Sequence, residues 1–196
     1  MRLTRSMLCI AAVTALAACQ NRDAAETATA AAPAATQAPA ADIATAAGAS
    51  ASVVTQPTEG NQTVADVTFA EVDGRIHVSG RVTGLKPNSE HGFHVHEFGD
   101  CSAPDASSAG GHFNPSNKPH AHPGHGHDGA MKNLVADAEG IAVVDDELPD
   151  TVNIGKGDDF DIVGHALIVH SDPDDYVSQP VGNAGKRLTC GVIALK

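Results

Sequence analysis

The sequence predicts an all-β domain, because short runs of alternating apolar and polar residues are separated by turn residues. The runs of this kind are residues 64–69, 76–82 and 133–144, and two further strands, residues 162–170 and 188–195, are apolar enough to be central. Asp73-Gly74, a pair typical of tight hairpin turns, separates the first two runs. Together the runs indicate one domain at residues 60–196, which is long enough to bury a hydrophobic core.

Residues 1–18 have the pattern of a secretory signal peptide. Two arginines lie in the first six residues, an apolar stretch too short to span a bilayer follows, and small residues precede Cys19. Small residues ahead of a cysteine resemble the bacterial lipobox, in which the cysteine is acylated and becomes the mature N-terminus. We therefore expect a lipoprotein that is exported to the periplasm and anchored to a membrane through Cys19. The alternative is an ordinary signal peptide that is cleaved nearby.

Residues 19–59 have the composition of a disordered linker. They consist mostly of alanine, threonine, proline, glutamine and serine, with few large apolar side chains. Such a segment buries too little apolar surface to offset the entropy lost on folding. Pro33 and Pro39 also argue against one continuous helix. We expect a flexible connection between the lipid anchor and the domain.

The charge of the chain excludes one class of partner. The formal net charge is -12, from 24 acidic and 12 basic residues. A protein that binds nucleic acid without sequence preference needs an excess of lysine and arginine, so no nucleic acid partner is expected. An anionic substrate would have to be attracted by a local positive group.

His94 and His96 are the first indication of a metal site. Residues two apart on a strand project from the same face, so both imidazoles can bind one ion. Two loops that are long for a compact domain, residues 97–132 and 171–186, lie nearby in the sequence and are expected to be functional.

Cys101 and Cys190 are the two cysteines of the predicted domain. In an oxidising compartment such a pair is expected to form a disulfide, which would join the loop after His96 to the last strand. Two separate buried thiols are the alternative.

Four segments of the domain resemble the bacterial copper,zinc superoxide dismutases. They are residues 92–101, 108–115, 166–170 and 182–191, and they occur in the order found in that family. The resemblance implies an eight-stranded, flattened Greek-key β-barrel. It also implies an enzyme that converts superoxide to oxygen and hydrogen peroxide with copper and zinc as cofactors.

The resemblance assigns a copper site to four histidines. They are His94, His96, His112 and His170. His112 would also bridge to zinc through its second ring nitrogen. Imidazole suits copper in both of its oxidation states. On reduction of the copper, His112 is implied to release it and to take up a proton.

Two further residues receive roles from the same resemblance. Arg187 would attract superoxide and bind it beside the copper, since a guanidinium offers both charge and a hydrogen-bonding fork. Asp174 would bond one copper histidine and one zinc histidine from behind and so fix their orientation. Its neighbour Asp175 is the alternative for this role.

The predicted zinc site departs from the family pattern. His120 and His127 match the two histidines that bind zinc alone, but Ala130 stands where the family has an aspartate. We expect His112, His120 and His127 to bind zinc with Asp128 as the fourth ligand. His125 in place of His127, or a histidine such as His122 or His125 as the fourth ligand, is the alternative.

Two functions remain open at this point. One is a dismutase that protects the cell envelope. The other is a surface-tethered protein of the same fold that buffers copper or zinc without catalysis; a complete copper set and Arg187 favour the dismutase. The sequence is compatible with a monomer and with a homodimer.

Overall fold

The computed structural model describes residues 48–196. The predicted signal peptide, the lipidation site Cys19 and residues 19–47 of the predicted linker lie outside the described residues. No helix within residues 48–196 is long and apolar enough to cross a membrane.

The described chain folds into β-segments, with a single turn of 3-10 helix at Ser107–Ala109. Along the sequence the segments are β1 Ser50–Val54, β2 Gln56–Pro57, β3 Val64–Val72, β4 Arg75–Thr83, β5 Glu90–His91, β6 Phe93–His96, β7 Leu134–Val135, β8 Ala142–Glu147, β9 Ala166–His170, β10 Arg187–Val192 and β11 Ala194–Leu195. Single residues separate β1 from β2, β5 from β6 and β10 from β11, so the eleven segments form eight strands.

The strands form two main antiparallel sheets. One has the order β11-β1-β3-β4-β8 and the other the order β2-β10-β9-β6, while β5 and β7 form a small pair. Neighbours in a sheet are often distant in the sequence, as β8 beside β4 and β10 beside β2, which is the arrangement of a Greek key. The all-β prediction is confirmed.

The core follows the alternation read from the sequence. In β3 and β4, side chains such as Val67, Phe69 and Val78 are buried while their neighbours point outward. Leu167 and Val169 of β9 join the same apolar cluster, so the core is shared by both sheets. This core holds β6 and β9 in place, and these two strands supply three of the predicted copper ligands.

The predicted linker boundary at residue 59 is wrong. Residues 50–54 pair with both β3 and β11, and residues 56–57 pair with β10. The side chain of Ala51 is fully buried, and Val53 is nearly so. Small side chains at these positions fit against the sheet, and the pairing satisfies their backbone groups. Residues 50–57 have nearly the same composition as the residues before them, so the sequence did not reveal the strand that they form.

Two long loops and one disulfide complete the frame of the site. Residues 97–133 connect β6 to β7, and residues 171–186 connect β9 to β10. The predicted disulfide between Cys101 and Cys190 is confirmed, with 5.7 Å between the two Cα atoms. It fixes the start of the first loop to β10, the strand that begins with Arg187.

Candidate metal centre

Adjacent strands bring three of the predicted copper ligands together. His94 and His96 lie on β6, where every side chain is buried, and β6 pairs with β9, which ends at His170. His112 comes from the loop, but a backbone bridge to His96 brings it against β6. The prediction that these four histidines converge is confirmed: one ring nitrogen of each lies within 4.8 Å of those of the other three.

Hydrogen bonds determine which nitrogen of His94 and which nitrogen of His96 faces inward. His94 Nε2 bonds Asp174, which leaves Nδ1 free, and His96 Nδ1 bonds the carbonyl of Gly110 at 3.1 Å, which leaves Nε2. This Nε2 lies 3.3 Å from Nε2 of His170. Two neutral imidazole nitrogens at that distance share a single proton at most, whereas a cation between the rings would take both lone pairs.

A second group lies on the other side of His112. Ring nitrogens of His112, His120 and His127 lie within 4.8 Å of one another, and the Nδ1 atoms of His112 and His127 are 3.2 Å apart. The prediction that these three histidines converge is confirmed. His112 belongs to both groups, as a histidine that bridges two ions must.

Unpartnered nitrogens show that these groups fit metal ions. A buried ring nitrogen on the inner side of these groups has no hydrogen-bond partner within the described residues in three histidines: Nδ1 of His94, Nε2 of His112 and Nδ1 of His120. Buried polar atoms are normally hydrogen-bonded, and neutral imidazole is the commonest metal ligand. Imidazole binds both copper and zinc, so the donor set suits the two ions that the resemblance implies.

Asp174 connects the two groups from behind. Its Oδ2 accepts a hydrogen bond from His94 Nε2 at 2.8 Å, and its Oδ1 accepts one from His120 Nε2 at 2.8 Å. Burial opposes its charged form, but the bonds from His94, the Tyr176 amide and His120 lower the pKa of Asp174. Asp175 is exposed and accepts bonds from its own loop, so the bridging position belongs to Asp174, as predicted.

Three residues that the sequence analysis did not single out hold this bridge in place. Asn133 exchanges two hydrogen bonds of 2.9 Å with the backbone of Asp174. Gln179 does the same for the backbone of His120, at 2.7 and 2.8 Å. Gly182 lies so close that a Cβ there would overlap the Asp174 carboxylate. Gly182 has a positive φ, a conformation that favours glycine, so a glycine in such a loop is a signal that the sequence offers. The side-chain amides of Asn133 and Gln179 give no comparable signal.

Arg187 lies beside the copper group. It is the register partner of His170, and its guanidinium donates to the carbonyls of Ala106 and Gly110. The Gly110 carbonyl also accepts the bond from His96, so a single oxygen orients both the arginine and a copper-side histidine. Two of the five N–H groups of the guanidinium are used in this way, which leaves others for an anion.

Burial keeps the copper-side histidines neutral. It lowers the pKa of His170 from the usual 6.5 to about 3, with a smaller contribution from His94. Burial also places the pKa of His96 well below its usual value, and the charges of His170 and Arg187 act in the same direction. These rings are therefore unprotonated at neutral pH, which is the form that binds metal ions.

The prediction that Asp128 completes the zinc group is wrong. Asp128 is buried, but its Oδ2 accepts from the Ser116 amide and its Oδ1 from the hydroxyls of Ser116 and Thr151. Lys118 also lies 3.6 Å from Oδ1. With these partners the carboxylate fastens the loop to Thr151, in the segment between β8 and β9, and does not join the three histidines.

The two alternative histidines are also outside the zinc group. His125 and His122 are exposed, and the ring of His122 packs on Tyr176 with 4.6 Å between the centroids. Ala130, the residue at the position of the family aspartate, is fully buried. Its amide bonds the His127 carbonyl at 3.2 Å, and it forms a backbone bridge with His94.

Comparison with known proteins gives one consistent result. Residues 63–193 match the family described as copper/zinc superoxide dismutase (SODC). A superoxide dismutase [Cu-Zn] 2 of Aquifex aeolicus is 42% identical over 141 residues, which are 69% of this chain and 81% of that protein.

Two solved structures resemble the described chain. The clock protein EA4 has a TM-score of 0.66 and 38% identity, covering 75% of this chain and 94% of that one. A SOD-like protein from Bacillus subtilis has a TM-score of 0.62 and 33% identity, covering 75% and 99%. The strand arrangement described above is therefore shared with proteins of this type.

Proposed function

The chain belongs to the copper/zinc superoxide dismutase family, and we propose that it converts two superoxide anions and two protons to oxygen and hydrogen peroxide at the group of His94, His96, His112 and His170. The observation that carries this proposal is the complete set of four copper-side histidines with Arg187 beside it. Copper, when bound, supplies the one-electron Cu(II)/Cu(I) couple that the reaction requires.

Arg187 has the features of a group that attracts and orients the substrate. The chain carries a net charge of -12, so superoxide is repelled by most of the surface and needs a local cation. The guanidinium is half-buried, and two backbone carbonyls fix its direction. Burial lowers the pKa of Arg187, but the group stays charged at every physiological pH.

His112 is suited to hold a proton, and Asp174 is suited to orient the rings of His94 and His120. Nε2 of His112 is buried without a partner and can hold a proton on the copper side of the ring. Burial, followed by the neighbouring histidines, lowers the pKa of His112, so in the metal-free protein its ring is neutral. Asp174 prevents His94 and His120 from rotating.

The proposal is tested by superoxide decay measured with copper-loaded protein. Wild type should accelerate the decay, and Arg187→Glu should bind copper equally but react at least ~10-fold more slowly, because the steering charge is reversed. Arg187→Lys, which keeps the charge and loses the fork, should lie between the two. If the loaded wild-type protein leaves the decay unchanged, the proposal is wrong and the metal-buffering function replaces it.

We further propose that the enzyme acts in the cell envelope as a lipoprotein anchored through Cys19. The apolar stretch and the small residues ahead of Cys19 support this location, together with the disulfide, which is typical of an oxidising compartment. Labelled fatty acid should enter the wild-type protein and not Cys19→Ser, which should leave the membrane fraction. Equal membrane association of the two proteins would refute the anchor.

A further inference from the structure

The zinc group contains three protein donors where a closed structural zinc site has four. His112, His120 and His127 converge, and the residue in the place of the family aspartate is the fully buried Ala130. The unpartnered buried Nδ1 of His120, and the approach of the Nδ1 atoms of His112 and His127 to 3.2 Å, indicate that the group is nevertheless built to bind an ion. The question is what occupies the fourth position.

The nearby carboxylates and the two spare histidines do not join the group of His112, His120 and His127. The carboxylate of Asp128 is held by Ser116 and Thr151, and the carboxylate of Asp174 bonds the far side of His120, at Nε2. His120 therefore presents Nδ1 to its group and Asp174 stays behind the ring. His122 and His125 are exposed.

We propose that this group is an open metal site, in which three histidines hold zinc and the fourth position takes a water molecule or a small exchangeable anion. Zinc accepts this arrangement readily, since sites with three protein ligands and one solvent ligand are common when the ion is not purely structural. The class of exogenous ligand is a small monovalent anion, because none of the three protein donors is a carboxylate and the two positive charges of the ion are not balanced by the protein.

The position of Ala130 makes the inference directly testable. Its amide bonds the His127 carbonyl, and its backbone is bridged to His94, so residue 130 lies next to ligands of both groups. A carboxylate introduced there is within one turn of His127. Ala130→Asp should therefore supply the missing ligand, whereas Ala130→Asn has nearly the same shape without the charge.

The first experiment measures zinc affinity by competition with a chromophoric chelator, on the full chain with copper bound. Ala130→Asp should bind zinc at least ~10-fold more tightly than wild type, and Ala130→Asn should gain much less. Equal zinc affinity in wild type and a folded Ala130→Asp would overturn the inference, because a fourth protein ligand would then already be present.

The second experiment can overturn the inference with the wild-type protein alone. Co(II) replaces zinc while copper is kept as Cu(I), which has no d–d absorption, and azide is added as the probe. The Co(II) bands of wild type should shift with azide, and those of Ala130→Asp should not. Wild-type bands that do not respond to azide would overturn the inference. Both measurements use metal binding alone, so their outcome is independent of whether the protein removes superoxide.

Discussion

The copper group and the zinc group share His112, but different kinds of structure carry their other ligands. On the copper side, His94, His96 and His170 lie on two paired strands, in a register fixed by backbone hydrogen bonds. On the zinc side, His120 and His127 lie in the long loop between β6 and β7. The copper set is complete, whereas the zinc set lacks the carboxylate.

This contrast shows where the fold tolerates change. Moving a strand residue would shift a whole row of side chains in the core, so the positions of copper ligands are tied to the stability of the barrel. A loop residue is held by individual bonds, as His120 is by Gln179 and Asp174. Replacing one loop ligand by alanine leaves those bonds intact, which explains how the zinc group can be incomplete in an otherwise regular structure.

The largest expected difference between the two groups lies in the effect of losing a ligand. His96→Gln should lower dismutation by more than ~100-fold, since even the partners that orient metal ligands are worth 10- to 100-fold. His127→Gln should lower it by less than ~10-fold, because zinc is not the redox ion. The measurement is superoxide decay at equal copper content. Equal losses would mean that the two groups work as one unit.

Asp174 hydrogen-bonds one histidine of each group, and its variant probes how strongly the two groups are coupled. Asp174→Asn keeps the shape but replaces one accepting oxygen by an NH2 group that faces a histidine N–H, so His94 or His120 loses its orientation. Affinity for at least one metal should fall by about 10- to 100-fold, measured by chelator competition.

Asp175→Asn is the matched control for this experiment, because Asp175 is exposed and bonds the amides of Val177 and Ser178. Its metal affinities should remain within about twofold of wild type. A large loss in Asp175→Asn together with a small one in Asp174→Asn would reverse the assignment of the bridging carboxylate.

The strand-borne half of the centre could be predicted from the sequence, and the loop-borne half only in part. Because His94 and His96 are two residues apart, their side chains lie on the same face of β6. The disulfide could be inferred because Cys101 and Cys190 are the two cysteines of the predicted domain. Asp128 was misassigned because nothing in the sequence indicates that Ser116 and Thr151 hold its oxygens. Those contacts join distant parts of the chain, and only the folded loop creates them.

The N-terminal boundary was missed for a related reason. Residues 50–57 read as a continuation of a low-complexity linker, yet they pair with three other strands. Isolated small residues have a weak intrinsic preference for strands, and pairing with the neighbouring strands stabilises the extended conformation here.

The pH dependence of the metal-free protein reports how deeply the copper side is buried. Burial lowers the pKa of His170 from 6.5 to about 3, so between these values the unfolded chain binds a proton that the folded chain does not. The free energy of unfolding should therefore decrease as the pH falls through this window, by about 1.4 kcal/mol per pH unit for this histidine.

Urea unfolding with a chelator present, from about pH 6.5 to about pH 5, measures this slope. His170→Gln should reduce it by the contribution of one histidine. A slope that is the same in wild type and His170→Gln would contradict the burial of this side chain in the metal-free state.

The smallest expected effect comes from a variant of Thr58. This residue lies in the predicted linker, but it hydrogen-bonds the backbone of β10 beside the copper group. Its hydroxyl donates to the Arg187 carbonyl at 2.8 Å, and its amide donates to the Leu188 carbonyl at 3.0 Å. Thr58→Val keeps the side-chain shape and removes the hydroxyl bond, which should cost about 0.5–1.5 kcal/mol of stability.

Because Arg187 then loses one of its anchors, superoxide decay in Thr58→Val should be a few-fold slower and should depend less steeply on ionic strength, while zinc affinity stays unchanged. Thr58→Ser restores the hydroxyl and should restore both the rate and the salt dependence. If Thr58→Val loses stability but keeps the wild-type rate and salt dependence, Thr58 supports the strand alone. The precise direction of Arg187 would then depend on the carbonyls of Ala106 and Gly110, and on the disulfide that holds their loop.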